Sequence, residues 1–128
     1  MPQSQPGKAA LFYSLPEIYD ILHAPGTLNE VKGLEKIAAR FVTSRPLNRQ
    51  TWLEPACGSG RYLRAAAARG RRVIGFDLEP TMIDYAKRSI KDIRGRRRPG
   101  RVISAERIFR ADMAGFSRHV KPASVDFG

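Results

Sequence analysis

The sequence predicts an α/β fold in which helices flank a parallel sheet, and two observations carry this prediction. From residue 51 onward, short β-prone runs alternate with helical patterns, an order that is typical of parallel α/β sheets. The run at residues 72–77 is mostly apolar, which indicates a strand buried on both faces. We expect about three strands and the start of a fourth, preceded by two N-terminal helices.

Length and composition limit the class of protein. The chain has 128 residues, of which 42% are hydrophobic and 27% charged, and this fits one globular domain at most. No apolar run reaches the roughly 20 residues of a membrane helix, and the first residues lack a secretory signal pattern. We therefore expect a cytoplasmic protein without a membrane partner. The single cysteine, Cys57, excludes an internal disulfide and a multi-cysteine metal site.

Positive charge dominates the chain, with 23 basic against 12 acidic residues and a net charge of +11. Such an excess can attract nucleic acid or acidic partners. The most basic run, at residues 94–101, has no interleaved aromatic residues on which bases could stack. A solvated loop is therefore favoured there, and a basic nucleic-acid-binding module stays open as an alternative function.

Two helices are predicted ahead of the sheet. Residues 1–10 are interrupted by proline and glycine, a composition that predicts a flexible arm. Residues 11–45 carry capping-box patterns at 14–17 and 27–30. Each pattern precedes apolar residues at helical spacing. The apolar stripe of the first helix consists of Leu15, Ile18, Ile21 and Leu22.

The remaining elements follow in order from residue 51. The predicted strands are residues 51–54, 72–77 and 107–112, with a fourth beginning at 125–127. A turn of small residues at 55–60 leads into a helix at 61–69, which Gly70 ends at the C′ position. A second helix starts at Pro80. Strand and helix therefore alternate as a parallel sheet requires.

Acidic residues stand at the carboxyl ends of the first three predicted strands, where parallel α/β sheets bind their ligands. They are Glu54, Asp77 and Asp112, and Gly58 and Gly60 lie beside the first of them. Glycine lets a backbone approach a ligand without a β-carbon in the way. A carboxylate 19 residues beyond Gly58 can accept both hydrogens of a ribose diol. The pattern indicates a nucleoside ligand.

The kind of nucleoside follows from what the turn lacks. A dinucleotide fingerprint has a third glycine, where this chain has Leu63. S-adenosylmethionine carries a positive sulfonium and no phosphate, so an acidic strand end suits it better than it suits a pyrophosphate. A nicotinamide-dependent Rossmann reductase remains the alternative enzyme.

Three segments together resemble class I S-adenosylmethionine-dependent methyltransferases. Residues 52–61, which read WLEPACGSGR, are similar to the family's first motif, an acidic residue followed by x-G-x-G-x-G. Residues 76–86 resemble the second motif, with an acidic residue, a methionine five positions later and an alanine nine positions later. Residues 111–113, Ala-Asp-Met, resemble the third. The resemblance implies a Rossmann-like sheet, S-adenosylmethionine as cofactor, and methyl transfer to an acceptor that the sequence leaves open, with a small molecule favoured.

The resemblance also implies roles at the first motif. Glu54 would anchor the glycine turn and help to hold the methionine amino end of the cofactor. Ala56, Cys57 and Gly58 would offer backbone groups to the methionine portion, and Gly60 would let the following helix start close to it. Ala56 replaces the usual glycine and fits if its φ is negative. Cys57 reads as a small buried turn residue rather than a nucleophile, because methyl transfer needs none.

Further roles follow from the second and third motifs. Asp77 would clasp the ribose hydroxyls, while Leu78 and Met82 would pack on adenine. Asp112 would accept from the adenine amino group, and the Met113 amide would bind a ring nitrogen. Glu54 and Asp77 also have a structural alternative, as a cap for the turn or helix that follows each of them, and Asp112 can be an ordinary residue of the loop after a strand.

The family's sheet usually has seven strands, and its acceptor pocket is built mostly from segments at and after the fourth. We therefore expect residues 46–128 to be an incomplete cofactor-binding domain and residues 11–45 to be a lid segment. Tyr19, on the first lid helix, would cover the cofactor. No catalytic residue and no metal ligand can be assigned.

Overall fold

The computed structural model describes residues 15–94 and 107–128. The predicted arm at 1–10, the capping residue Ser14, and residues 95–101 of the predicted basic loop lie outside the described residues. The elements, in chain order, are α1 (Pro16–His23), α2 (Thr27–Phe41), β1 (Thr51–Glu54), α3 (Arg61–Ala68), β2 (Arg72–Asp77), α4 (Pro80–Arg94) and β3 (Ile108–Arg110), with 3₁₀ turns at Leu47–Arg49 and Phe116–Arg118.

The strands form one parallel sheet in the order β1-β2-β3. Trp52 lies beside Val73, and Gly75 beside Ile108. On the other side of β1, Phe127 forms a parallel bridge with Trp52, and the Leu53 amide donates to the Phe127 carbonyl over 2.9 Å. The predicted fourth strand is therefore present as a single bridge, and the α/β prediction with a parallel, Rossmann-like sheet is confirmed.

The core lies between the sheet and the helices that follow β1 and β2. Both α3 and α4 contact β2 and each other, whereas α2 packs on α3 and α1 packs on α4. The largest part of the core is a cluster of buried apolar side chains that includes Val31, Ala38, Leu63, Ala66, Val73, Ile83, Ala86, Ile90 and Ile108. Small residues on α3 and α4 let the two helices lie close to the sheet.

An aromatic stack covers part of the opposite face of the sheet. Side chains alternate between faces along a strand, so Phe76 points away from α3, whose Leu63 lies over the neighbouring Gly75. The Phe76 ring stacks on Phe116 at 4.7 Å between ring centroids, with 9° between the planes. The 3₁₀ turn after β3 is thereby held beneath the sheet.

The capping box predicted at residues 27–30 does not form. Gly26, with φ of 83°, is the residue before α2, so Thr27 is already helical. Its Oγ1 donates to the His23 carbonyl and accepts from Arg61. Glu30 bonds to the Tyr62 hydroxyl instead of to the start of its own helix. The prediction was wrong because contacts with α3 use both side chains.

The apolar stripe of α1 faces outward. Ile18, Ile21 and Leu22 are 47%, 73% and 62% exposed, whereas Tyr19 and Asp20 are partly buried. Polar and aromatic contacts, rather than the apolar stripe, therefore orient this helix. Within residues 15–94 and 107–128, no helix is both long enough and apolar enough to cross a bilayer.

Candidate functional site

The turn between β1 and α3, residues 55–60, is a tight glycine bend at the carboxyl end of the sheet. Gly58 and Gly60 have φ of 56° and 83°, values that glycine adopts at little cost. The Cys57 amide donates to the Phe76 carbonyl over 2.9 Å, and the Gly60 amide donates to the Cys57 carbonyl over 3.0 Å. These bonds hold the bend against the end of β2. A Cβ at Gly60 would lie 2.9 Å from the Cβ of Ala86, so glycine is needed there for α3 to start against α4.

Close packing of the bend on the sheet depends on Gly75 in β2. A Cβ there would overlap the Leu63 side chain and lie 3.2 Å from Cys57 Cβ. A dinucleotide fingerprint places its third glycine on the helix to let helix and strand approach. In this chain the helix has Leu63 at that position, and the glycine on the strand makes the room instead.

Asp77 points toward the glycine bend. Its Oδ2 accepts from the Gly58 amide over 2.9 Å, and its Oδ1 accepts from the Glu79 amide over 2.9 Å. The residue therefore fastens the bend and caps the turn that leads into α4. Because a carboxylate has about four acceptor positions, two amide bonds leave room for further donors.

Glu54 faces the same region with an unsatisfied carboxyl oxygen. Its Oε2 is buried and has no hydrogen-bond partner among the described residues. Burial raises the pKa of Glu54 to about 8, Asp77 contributes to the rise, and Arg61 and Arg64 oppose it. A buried acceptor without a donor is costly, so this oxygen can still accept a donor that the described residues do not supply.

Ala56 departs from its expected conformation. Its φ is +49°, whereas an alanine that is tolerated in place of glycine is expected to have a negative φ. An L residue in this left-handed region carries a steric penalty that glycine does not. The correction has a physical reason: the bend turns sharply enough that its second residue takes a left-handed backbone conformation, which favours glycine.

The other candidates at the bend and at the tip of β2 differ in their exposure. Cys57 is 5% exposed, and burial, followed by the charges of Glu54 and Asp77, raises the pKa of its thiol. It is therefore a buried neutral thiol and unsuited to act as a nucleophile. Leu78 is 61% exposed, but Met82 is only 2% exposed. In this arrangement Leu78 offers a surface to a ligand, and Met82 offers almost none.

Asp112 and Met113 lie in the loop after β3. The Ala111 amide donates to the Asp77 carbonyl over 3.2 Å, so this loop starts beside the tip of β2. The Asp112 Oδ1 accepts from the Gly115 amide over 2.5 Å, and the side chain therefore caps its own turn. Met113 is 64% exposed. The structure thus brings Glu54 and Asp77 together at the bend but ties one oxygen of the third carboxylate to its own loop.

Two adjacent residues of α1, Tyr19 and Asp20, contact the glycine bend. The Tyr19 ring lies over Gly58, with Cε1 3.5 Å from where a glycine Cβ would stand. Asp20, which belongs to none of the three motifs, accepts a hydrogen bond of 2.8 Å from the Ser59 hydroxyl. No local signal marks Asp20, because Ser59 is 39 residues away in the sequence.

Several arginines are engaged in ion pairs within the fold. Arg69 holds Glu35 of α2 through two hydrogen bonds of 2.6 and 2.7 Å, and Arg45 pairs with Asp126 at 3.3 Å. Part of the positive charge therefore links elements of the chain. Among the described residues, no group of three or more His, Cys, Asp or Glu side chains is placed to hold a metal ion.

Known proteins match the region that contains this site. A family model described as a methyltransferase domain matches residues 53–120. Among curated proteins, no sequence matches this chain. A SAM-dependent methyltransferase from Thiobacillus denitrificans, solved in complex with S-adenosyl-L-homocysteine, is 20% identical with a TM-score of 0.55, over 97% of this chain and 42% of that one. YjhP from E. coli is 20% identical with a TM-score of 0.51, over 79% of this chain and 36% of that one.

The two structural neighbours share the fold, and this chain spans less than half the length of either. The family match covers more than half of the sequence and includes the end of β1, the glycine bend, β2 and β3. The chain therefore belongs to the methyltransferase domain family, with the Rossmann-like fold of its class I members.

Proposed function

We propose that this chain binds S-adenosylmethionine at the glycine bend and serves as the cofactor-binding part of a methyltransferase. The observation that carries the proposal is the meeting of Glu54 and Asp77 at one bend, where Glu54 keeps a buried oxygen without a donor. The structural neighbour from Thiobacillus denitrificans, named as a complex with S-adenosyl-L-homocysteine, supports the choice of cofactor.

The residues at the bend fit this cofactor. Its amino group would supply the donor and the positive charge that the Glu54 carboxyl lacks, and pairing with a cation would favour the ionised carboxylate. The remaining acceptor positions of Asp77 suit the ribose hydroxyls, and the exposed Leu78 side chain suits the adenine ring. Tyr19 would cover the ligand from α1. Asp112 and Met113 would complete the adenine side from the loop after β3.

When bound, S-adenosylmethionine supplies a methyl group on a positively charged sulfur. The contribution of this chain is to orient that group through the bend and to keep one end of the site dry beneath α1. Alignment of this kind accounts for a large share of catalysis in displacement reactions. No side chain of the described site is assigned as a base toward an acceptor.

Calorimetric titration with S-adenosyl-L-homocysteine tests the proposal. We expect the wild-type chain to bind it and not to bind NADH, and we expect Asp77→Ala to weaken binding by about 1.5 to 3 kcal/mol, the range for hydrogen bonds to a charged group. Glu54→Gln should also weaken binding, because it removes the charge that the amino group pairs with. Asp84→Ala is the control, since Asp84 is an exposed carboxylate on α4.

The outcome of that titration separates the candidate functions. Binding of NADH alone would favour the nicotinamide-dependent reductase. Affinity for RNA or DNA that falls steeply with salt and survives Asp77→Ala would favour a nucleic-acid-binding module. An unchanged affinity for S-adenosyl-L-homocysteine in both site variants would overturn the site as described here.

The methyl acceptor and the cellular location stay predictions of the sequence. A small molecule is the favoured acceptor, and the cytoplasm is the expected compartment. Transfer of a labelled methyl group from S-adenosylmethionine to fractionated metabolites, compared with transfer to protein, lipid and nucleic acid, tests the first prediction directly.

A further inference from the structure

Asp20 on α1 is the meeting point of three side chains from the sheet-bearing part of the chain. The Ser59 hydroxyl donates to Asp20 Oδ1 over 2.8 Å, and Arg64 forms an ion pair with the same oxygen. The Tyr85 hydroxyl donates to Oδ2 over 3.2 Å. The Asp20 and Arg64 side chains are only 16% and 17% exposed, so this charge-assisted network is shielded from much of the screening that weakens surface pairs.

The network lies against the glycine bend and not elsewhere on α3. Ser59 stands between the two glycines of the bend and is fully buried, and Arg64 also donates to the Ser59 carbonyl over 2.8 Å. The preceding residue, Gly58, is held by Asp77 from the sheet side. Two carboxylates therefore hold adjacent residues of the bend, one from β2 and one from α1.

The Asp20 network is one of the contacts that dock α1 on the rest of the chain. The apolar stripe of this helix is exposed, so burial of its largest aliphatic side chains contributes little to docking. Tyr19, next to Asp20, is brought over Gly58 by the same docking. If α1 leaves the bend, Tyr19 leaves with it.

We infer that Asp20 is a positioning residue that fastens α1 to the glycine bend and thereby sets the affinity of the bend for S-adenosylmethionine. The inference rests on the proposed function. Asp20 acts through Ser59 and through the placement of Tyr19, and not by touching the reacting methyl group. A chain from which α1 has undocked still presents the bend but has lost the cover that Tyr19 provides, so it binds the ligand more weakly.

Titration of S-adenosyl-L-homocysteine into Asp20→Ala and Asp20→Asn tests the inference. We expect Asp20→Ala to raise Kd about ten- to a hundredfold, the loss expected when the burial of one aromatic side chain against the ligand is missing. Asp20→Asn keeps the shape and one acceptor oxygen but loses the charge that pairs with Arg64. Its Kd should therefore lie between those of the wild-type chain and of Asp20→Ala. Circular dichroism and the thermal transition establish that each variant is folded at the titration temperature.

Glu35→Ala is the matched control. Glu35 is likewise a carboxylate of the N-terminal helices that pairs with an arginine of the α3 region, but its partner Arg69 lies at the end of α3 far from the bend. We expect Glu35→Ala to lower the thermal transition and to leave the Kd within about twofold of the wild-type value. A purely structural role for Asp20 predicts the same behaviour for both variants.

A double-mutant cycle with Tyr19→Ala shows whether Asp20 acts through Tyr19. We expect Tyr19→Ala to weaken binding in the wild-type background and to have little further effect in Asp20→Ala. Additive losses, or an unchanged Kd in both Asp20 variants while the wild-type chain binds, would overturn this inference alone. Failure of the wild-type chain to bind would overturn the proposed function, and this inference with it.

Discussion

At the scale of single residues, the glycine bend holds one alanine in a conformation that suits glycine. Ala56 has φ of 49°, and Ala123, in a turn distant in sequence, has φ of 57°. The left-handed region costs an L residue roughly 1 to 2 kcal/mol relative to the right-handed one. These two alanines therefore form a matched pair, one within the candidate site and one outside it.

Ala56→Gly is expected to raise the free energy of unfolding by about 0.5 to 1 kcal/mol. The gain is smaller than the full steric penalty because glycine also gains entropy in the unfolded chain, about 0.4 to 1 kcal/mol. Urea unfolding followed by circular dichroism measures the change. Ala123→Gly should give a similar gain without altering affinity for S-adenosyl-L-homocysteine, and a loss of stability in Ala56→Gly would contradict the assigned backbone conformation.

At the scale of elements, Gly75 determines how closely α3 and the bend approach the sheet. The space that a side chain at Gly75 would fill is occupied by Leu63 of α3 and by Cys57 of the bend. The position of the glycine bend therefore depends on Gly75, although Gly75 itself is not predicted to contact the cofactor.

Gly75→Ala is expected to lower the free energy of unfolding by about 1 to 3 kcal/mol, the range for overpacked cores. Urea unfolding measures it, and Gly33→Ala is the control. Gly33 is inside α2, and a Cβ there meets nothing within 4 Å, so this second substitution should stabilise by about 0.5 to 1 kcal/mol. Equal effects of the two substitutions would show that Leu63 does not pack on Gly75 as described.

At the scale of the whole molecule, the periodicity of the sequence predicts most of the fold but little of the candidate site. The strands at 51–54 and 72–77 are found where apolar runs predicted them, because buried parallel strands leave a strong local pattern. The placement of α1 leaves none, since the partners of Asp20 are 39, 44 and 65 residues away. The conformation of Ala56 and the turn-capping bond of Asp112 also depend on the folded backbone, which no residue pattern specifies.

At the scale of the whole molecule, two glutamates make the free energy of unfolding depend on pH. Glu54 lowers it as the pH rises above about 4.5, and Glu35 lowers it as the pH falls below about 4.5. The pKa of Glu54 is raised to about 8 by burial, so the folded chain keeps a proton that the unfolded chain releases near 4.5. The contribution of protonated Glu54 to the free energy of unfolding is fully present below pH 4.5, and it is lost as the pH rises to about 8. The hydrogen bonds from Arg69 lower the pKa of Glu35, so its contribution is present above pH 4.5 and is lost as the pH falls through its folded pKa.

We therefore expect the free energy of unfolding of the wild-type chain to decline between pH 5 and 8, at up to about 1.4 kcal/mol per pH unit. Glu54→Gln cannot ionise, so its stability should change less over this interval, whereas Glu35→Gln should keep the decline and lose part of the fall below pH 4.5. Urea unfolding at a series of pH values measures all three chains at constant ionic strength. Parallel curves for wild type and Glu54→Gln between pH 5 and 8 would show that Glu54 is ionised in the folded chain. The carboxylate would then be charged without a ligand, and burial would not hold its proton as described here.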